Sequence, residues 1–98
     1  MTPRFSVRTV PHFDRLARRL SEQHREFPRL LTRAMGILAA DPANAGRQHN
    51  IKKLAGVRPG DGQWRLRLGR FRLLYDIAGR DVELVHCALR REDTYREH

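Results

Sequence analysis

Through FSVRTV, residues 5–10, apolar and polar positions alternate and β-branched residues dominate, which predicts a first strand. Pro11 ends that pattern and suits the first turn of a helix, because its fixed φ and missing N–H cost nothing there. From His12 the period lengthens. Phe13, Leu16, Ala17 and Leu20 recur at helical spacing, with Arg15, Arg18 and Arg19 between them. Pro28 breaks or restarts this helix. Leu30, Leu31, Ala34, Met35 and Leu38 form a second apolar stripe, which Asp41-Pro42 stops. Two amphipathic helices with a short join predict a helical hairpin.

Residues 41–63 read mostly as loop, with Ile51 and Leu54 as anchors to the core. Three strands follow, over 64–69, 71–78 and 82–89. Gly69-Arg70 fits a two-residue type II′ turn, and Gly79-Arg80 fits a second. The tail RREDTYREH is polar, either one helical turn or a frayed end. The order is β-α-α-β-β-β. It predicts one α+β domain over 1–98, with the helical hairpin packed on one face of a mainly antiparallel four-stranded sheet.

The turn at 69–70 fixes a register in which Leu68 faces Phe71, Arg67 faces Arg72, Leu66 faces Leu73, Arg65 faces Leu74 and Trp64 faces Tyr75. One face of the hairpin is then apolar, and a slip by one residue would bury arginines instead. The other face sets Arg67 against Arg72 with Arg65 beside them. Like charges opposed across strands cost stability. Asp76 and Glu83 lie further along that side as possible counter-charges. In this register His86 shares a face with Leu84 and Ala88 and reads as a partly buried histidine.

Charge changes the picture next. Lys plus Arg number 20 against 11 Asp plus Glu, a formal net charge of +9. That excess favours polyanions, nucleic acid first, an acidic protein second and a membrane surface third. Arginine's planar fork donates two hydrogen bonds to one phosphate, so the outer hairpin face fits a phosphodiester backbone. Cys87 is the sole cysteine, which excludes an internal disulfide and a cysteine-based zinc site. His12, His24, His49, His86 and His98 show no metal-ligand spacing, so neither metal nor cofactor is expected. No apolar run is long enough for a signal peptide or a membrane span, and a cytoplasmic protein is expected.

NIKKLAG, GQWRLRLGRFRLLYDI and VELVHCALRREDTYR together resemble the RelE/ParE superfamily of type II toxin–antitoxin toxins. The resemblance is specific over residues 50–96, and residues 5–40 match only in element order. RelE-like members are ribosome-dependent endoribonucleases that cut mRNA in the ribosomal A site. ParE-like members inhibit DNA gyrase. The resemblance implies a catalytic set of Arg65, Arg67 and Arg72, with Tyr95 as the tyrosine near the C-terminus. Where RelE has a further arginine this chain has Leu89, and Arg91 or Arg90 stands in. Lys52, Lys53, Arg70, Arg90 and His49 are the expected RNA contacts. A cognate antitoxin and ribosome-bound mRNA are the implied partners, with a higher-order toxin–antitoxin complex as a further expectation.

Metal-independent RNA cleavage needs a base for the 2′-hydroxyl proton, cations around the phosphate and an acid for the leaving 5′-oxygen. The arginines supply the cations. Tyr95 is the candidate base, or a platform on which a base of the message stacks. Its ordinary pKa of about 10 means that it must borrow positive charge to ionise. Two rivals stay open: a ParE-like gyrase inhibitor without nuclease activity, and a degenerate, non-catalytic member that serves as an antitoxin or a nucleic-acid-binding module.

Overall fold

A computed structural model describes residues 4–90. Its elements are β1 (Ser6–Thr9), α1 (Pro11–Gln23), α2 (Phe27–Ala40), β2 (Ile51–Lys53), β3 (Trp64–Leu68), β4 (Phe71–Ala78) and β5 (Asp81–Leu89). The two helices, the hairpin strands and the final strand fall where the apolar periods place them. The sheet has five strands, not four, in the order β1-β5-β4-β3-β2. The addition is β2, a three-residue strand inside the expected loop that pairs antiparallel with β3. Only β1 runs parallel, beside β5.

Pro11 and Pro28 each sit in the first turn of their helix. The stripes read from the sequence point inward: Phe13 and Ala17 of α1, and Phe27, Ala34 and Leu38 of α2, are buried. They meet Leu66, Phe71, Leu73, Tyr75, Val82, Leu84 and Cys87 from the sheet. Phe27 meets Phe71 edge to face, with ring centroids 4.9 Å apart. Tyr75 is buried and donates its hydroxyl to the Pro42 carbonyl at 2.7 Å, tying the start of the 41–50 loop to the core. That loop is held by Asp41, whose two carboxylate oxygens accept the Ala45 and Gly46 amides. The Gly46 amide, ahead of the other causes, holds the Asp41 carboxyl below its usual range. Burial raises the Tyr75 phenol above its ordinary value and pushes the Cys87 thiol up to about 12. Neither group ionises near neutral pH.

The β3–β4 register matches the expected one pair for pair, from Leu68↔Phe71 to Trp64↔Tyr75. Gly69 takes φ +59° while Arg70 does not go positive, as a type II′ turn requires. β5 departs from simple alternation. A bulge lies opposite Leu74/Tyr75, so Leu74 pairs with His86 while Tyr75 pairs with Leu84. Val85 is the extra residue. Leu84 therefore points into the core, and His86 keeps company with Ala88 on the outer face. The shared face expected for His86 and Leu84 is corrected by that bulge.

Candidate nucleic-acid interface

The outer face of the sheet is built in cross-strand rows. In one row Lys52, Arg65, Leu74 and His86 run from β2 to β5. In the next, Arg67, Arg72 and Ala88 run from β3 to β5. A third, towards the other end, carries Asp76, Glu83 and Arg8. The strand parity forces this grouping: once Leu66, Leu73 and Tyr75 point inward, Arg65, Arg67 and Arg72 have to point outward.

These three arginines are not a simple solvated fringe. Each is half-buried, whereas Arg15, Arg18, Arg19, Arg29 and Arg33 on the helices are exposed. The Nε atoms of Arg65, Arg67 and Arg72 are shielded from solvent. Arg72 Nε meets no acceptor among the described residues. Arg65 donates from Nη2 to Asn50 Oδ1 at 3.3 Å, a contact from the segment leading into β2. The arginine stems lie against the sheet, so their forks are held rather than swinging freely.

Among the described residues, two carboxylates lie on this face, Asp76 and Glu83. Asp76 accepts the amides of Gly60 and Gly62 on Oδ2 at 3.0 and 3.1 Å, and that of Gln63 on Oδ1 at 3.0 Å. Glu83 lies 3.6 Å from Arg8 on β1. Asp76 thus works as the anchor of the 57–63 loop, which folds over the Leu74–Val85 end of the sheet. Gly62 is needed for that fit: its φ is +90°, and a Cβ there would lie 2.7 Å from Leu74 Cβ. The loop covers one end of the outer face and meets the Arg65 row at Leu74.

The remaining candidates divide. Lys52 stands opposite Arg65 and extends the cationic row to the sheet edge. Lys53 stands opposite Trp64, with Nζ 5.6 Å from the indole centroid, and so sits on the other side of the strand. Arg70, at the turn, pairs with Glu26 at the start of α2 and lies over the Phe71 ring. Its guanidinium, foremost among the causes, holds the Glu26 carboxyl below the usual range. Arg90 is exposed, and its amide donates to the Arg70 carbonyl at 2.6 Å at the same end of the sheet. His49 is locked by its backbone to the Asn44 side chain through two hydrogen bonds, one residue before the Asn50 that meets Arg65. Arg91 and Tyr95 lie outside the described residues. Asn50 and the His12–His86 pair were not legible as site residues. The adjacent apolar pair Leu84-Val85, which breaks the alternation of β5, is the signal that would have moved His86 to the outer face.

Among the described residues no three His, Cys, Asp or Glu side chains gather as a metal site, and no helix is long and apolar enough to cross a membrane.

No protein-family model and no curated protein matches the chain. One solved structure does: a chain of the toxin–antitoxin complex RelBE2 from Mycobacterium tuberculosis. It is 26% identical, the alignment covers 90% of this chain and 99% of that one, and the TM-score is 0.68. The likeness extends well beyond the arginine hairpin, through the helical pair and the sheet. The resemblance read from the hairpin motif thus holds across the described fold, and the chain is RelE-like.

Proposed function

We propose that this chain is the toxin of a type II toxin–antitoxin pair, and that it cuts mRNA in the ribosomal A site. The observation that carries this reading is the outer arginine cluster. Three half-buried guanidinium groups share one face, two of them directly opposed, while the carboxylates of that face serve a loop and Arg8. Planar forks brought together on one face suit an anionic ligand that they can meet at several oxygens at once. A phosphodiester passing to a pentavalent transition state gains negative charge, which planar donors at 65, 67 and 72 stabilise. A flat protein-binding surface has no use for such a cradle, which favours the nuclease over a gyrase inhibitor.

In this reading Arg65, Arg67 and Arg72 hold the scissile phosphate. Lys52 and Arg90 extend the track for the message, while Arg70 and His49 contribute at its margins; Lys53, over the Trp64 ring on the opposite side of β2, is turned away from it. Arg91 and Tyr95 complete the catalytic set. The similar RelBE2 structure is a toxin–antitoxin complex. An antitoxin for this chain would carry acidic side chains to meet the +9 domain and would mask the same arginines.

The test is induced expression followed by labelled-precursor incorporation and primer extension on a translated message. Protein synthesis stops first, and new 5′ ends appear inside the reading frame only when it is translated. Arrest of DNA synthesis with intact messages would instead support the gyrase reading.

A further inference from the structure

The seam between α1 and β5 holds two imidazoles that the arginine site leaves unused. His12 stands in the first turn of α1 and His86 on β5, with ring centroids 6.0 Å apart and planes within 24° of parallel. The bulge at Val85 brings His86 to the outer face, in the same row as Arg65 and Lys52 and one row from Arg72. A cleft of about 320 Å³ opens beside it, lined by His12, Gly60, Asp61, Leu74 and Val85. That volume accommodates one nucleoside. The cleft lies at the β5 end of the row that carries Arg65, with Leu74 between them.

We propose that His86 is the proton acceptor for RNA cleavage at this site, serving a nucleotide seated in the His12–His86 cleft while the arginines hold the adjoining phosphate. This rests on the ribonuclease reading above, with Tyr95 serving as the stacking platform and not as the base. The step balances without any outside reactant. His86 takes the 2′-hydroxyl proton as the 2′-oxygen bonds to phosphorus. The bond from phosphorus to the 5′-oxygen breaks, and that oxygen takes a proton from water. The products are a 2′,3′-cyclic phosphate and a 5′-hydroxyl end, and the imidazolium returns its proton to solvent.

The surroundings favour the base form. Burial first, then His12, then Arg72 hold the His86 imidazole below the ordinary histidine value. The charged and titratable groups around it are His12 and Arg19 from α1, Asp61 from the 57–63 loop, Arg72 from β4 and Arg65 from β3. An imidazole is unprotonated at neutral pH without help, whereas a phenol must be forced to ionise.

The experiment is single-turnover cleavage of a programmed ribosome complex from pH 5 to 8. The wild-type rate falls on the acid side as His86 protonates. His86→Gln lowers the rate by about 100-fold or more and removes that acid limb, with binding of a 2′-deoxy-substituted message retained. His12→Gln removes a neighbour that repels protonated His86, so the limb moves to higher pH. Should His86→Gln not fold, the His12→Gln profile decides, since an unmoved limb overturns the proposal. A His86→Gln chain with wild-type rate and profile, beside an inactive Arg72→Ala chain, overturns it while leaving the ribonuclease reading in place. If the wild-type chain cuts nothing, both readings fall.

Discussion

On the inner face of the β3–β4 hairpin, Leu66 stands opposite Leu73, and both are almost wholly excluded from solvent. One residue along, on the outer face, Arg67 stands opposite Arg72. The two pairs are neighbours in one antiparallel ladder, and their chemistry is opposed. The inner pair removes apolar surface from water and repays the entropy of ordering the strands. The outer pair holds two like charges close together on stems packed against the sheet. A hairpin selected for stability alone would place a Thr pair or an opposite-charge pair there. The inner face therefore explains how the domain folds, and the outer face carries the proposed ligand site.

The comparison breaks most visibly if the two faces are swapped as targets. Arg67→Ala with Arg72→Ala is expected to lower cleavage by about 100-fold or more per arginine, as for loss of a transition-state donor. The melting temperature changes little, because neither side chain belongs to the apolar core. Leu66→Ala does the reverse. It costs about 2–5 kcal/mol in denaturant unfolding, the usual range for a large-to-small change in a closed core. A folded remainder of that variant still binds RNA. If the arginine variant unfolds, or the leucine variant loses RNA binding while folded, the division of labour is wrong.

Smaller effects sharpen the boundary between the two ends of the outer face. Asp76→Ala frees three loop amides from their carboxylate and is expected to cost about 2–4 kcal/mol, with partial rehydration limiting the loss. Gly62→Ala combines a positive φ with a Cβ driven into Leu74 and is expected to cost about 1–3 kcal/mol. In both variants the 57–63 loop loosens first, which amide exchange at Gly60–Gln63 would register. Cleavage falls less than in the arginine variants, because the loop meets the Arg65 row only at Leu74 and at the edge of the His12–His86 cleft.

Arg70→Ala is expected to show the smallest change. Its partner Glu26 has a carboxyl held below the usual range, so the pair's contribution is present above the unfolded value of 4.5. That contribution fades as pH falls through the lowered folded value, and also fades in salt. Both groups are largely in solvent, so thermal melts at pH 7 and pH 3 should differ only slightly between wild type and variant. A large loss of cleavage in Arg70→Ala would move the site towards the turn.

Much of this was legible in the chain. The hairpin register follows from Gly69-Arg70 and from strict alternation on either side, and no other pairing hides the apolar set. The helices follow from two proline starts and two apolar stripes. Three features were not legible. β2 is only Ile51-Lys52-Lys53, too short to show a period, and it forms because β3 offers an open edge. The bulge at Val85 shifts the parity of β5, so His86 and Leu84 part company. The role of Asp76 depends on amides 13 to 16 residues earlier, a distance at which local pattern carries no information. The site divides likewise. Arg65, Arg67 and Arg72 follow from register alone, while the engagement of Arg70 by Glu26 and the His12–His86 cleft arise from tertiary packing.

The most direct measurement is the salt dependence of binding to an uncleavable message, with 2′-deoxy sugar at the scissile position. For the wild-type chain, log K should fall linearly with log salt concentration, as counterions leave the phosphates. Arg67→Ala with Arg72→Ala should make that slope shallower by about 1 to 2 while the melting temperature holds. Equal slopes and equal affinities for the two chains would contradict the claim that the outer arginine rows hold the nucleic-acid backbone.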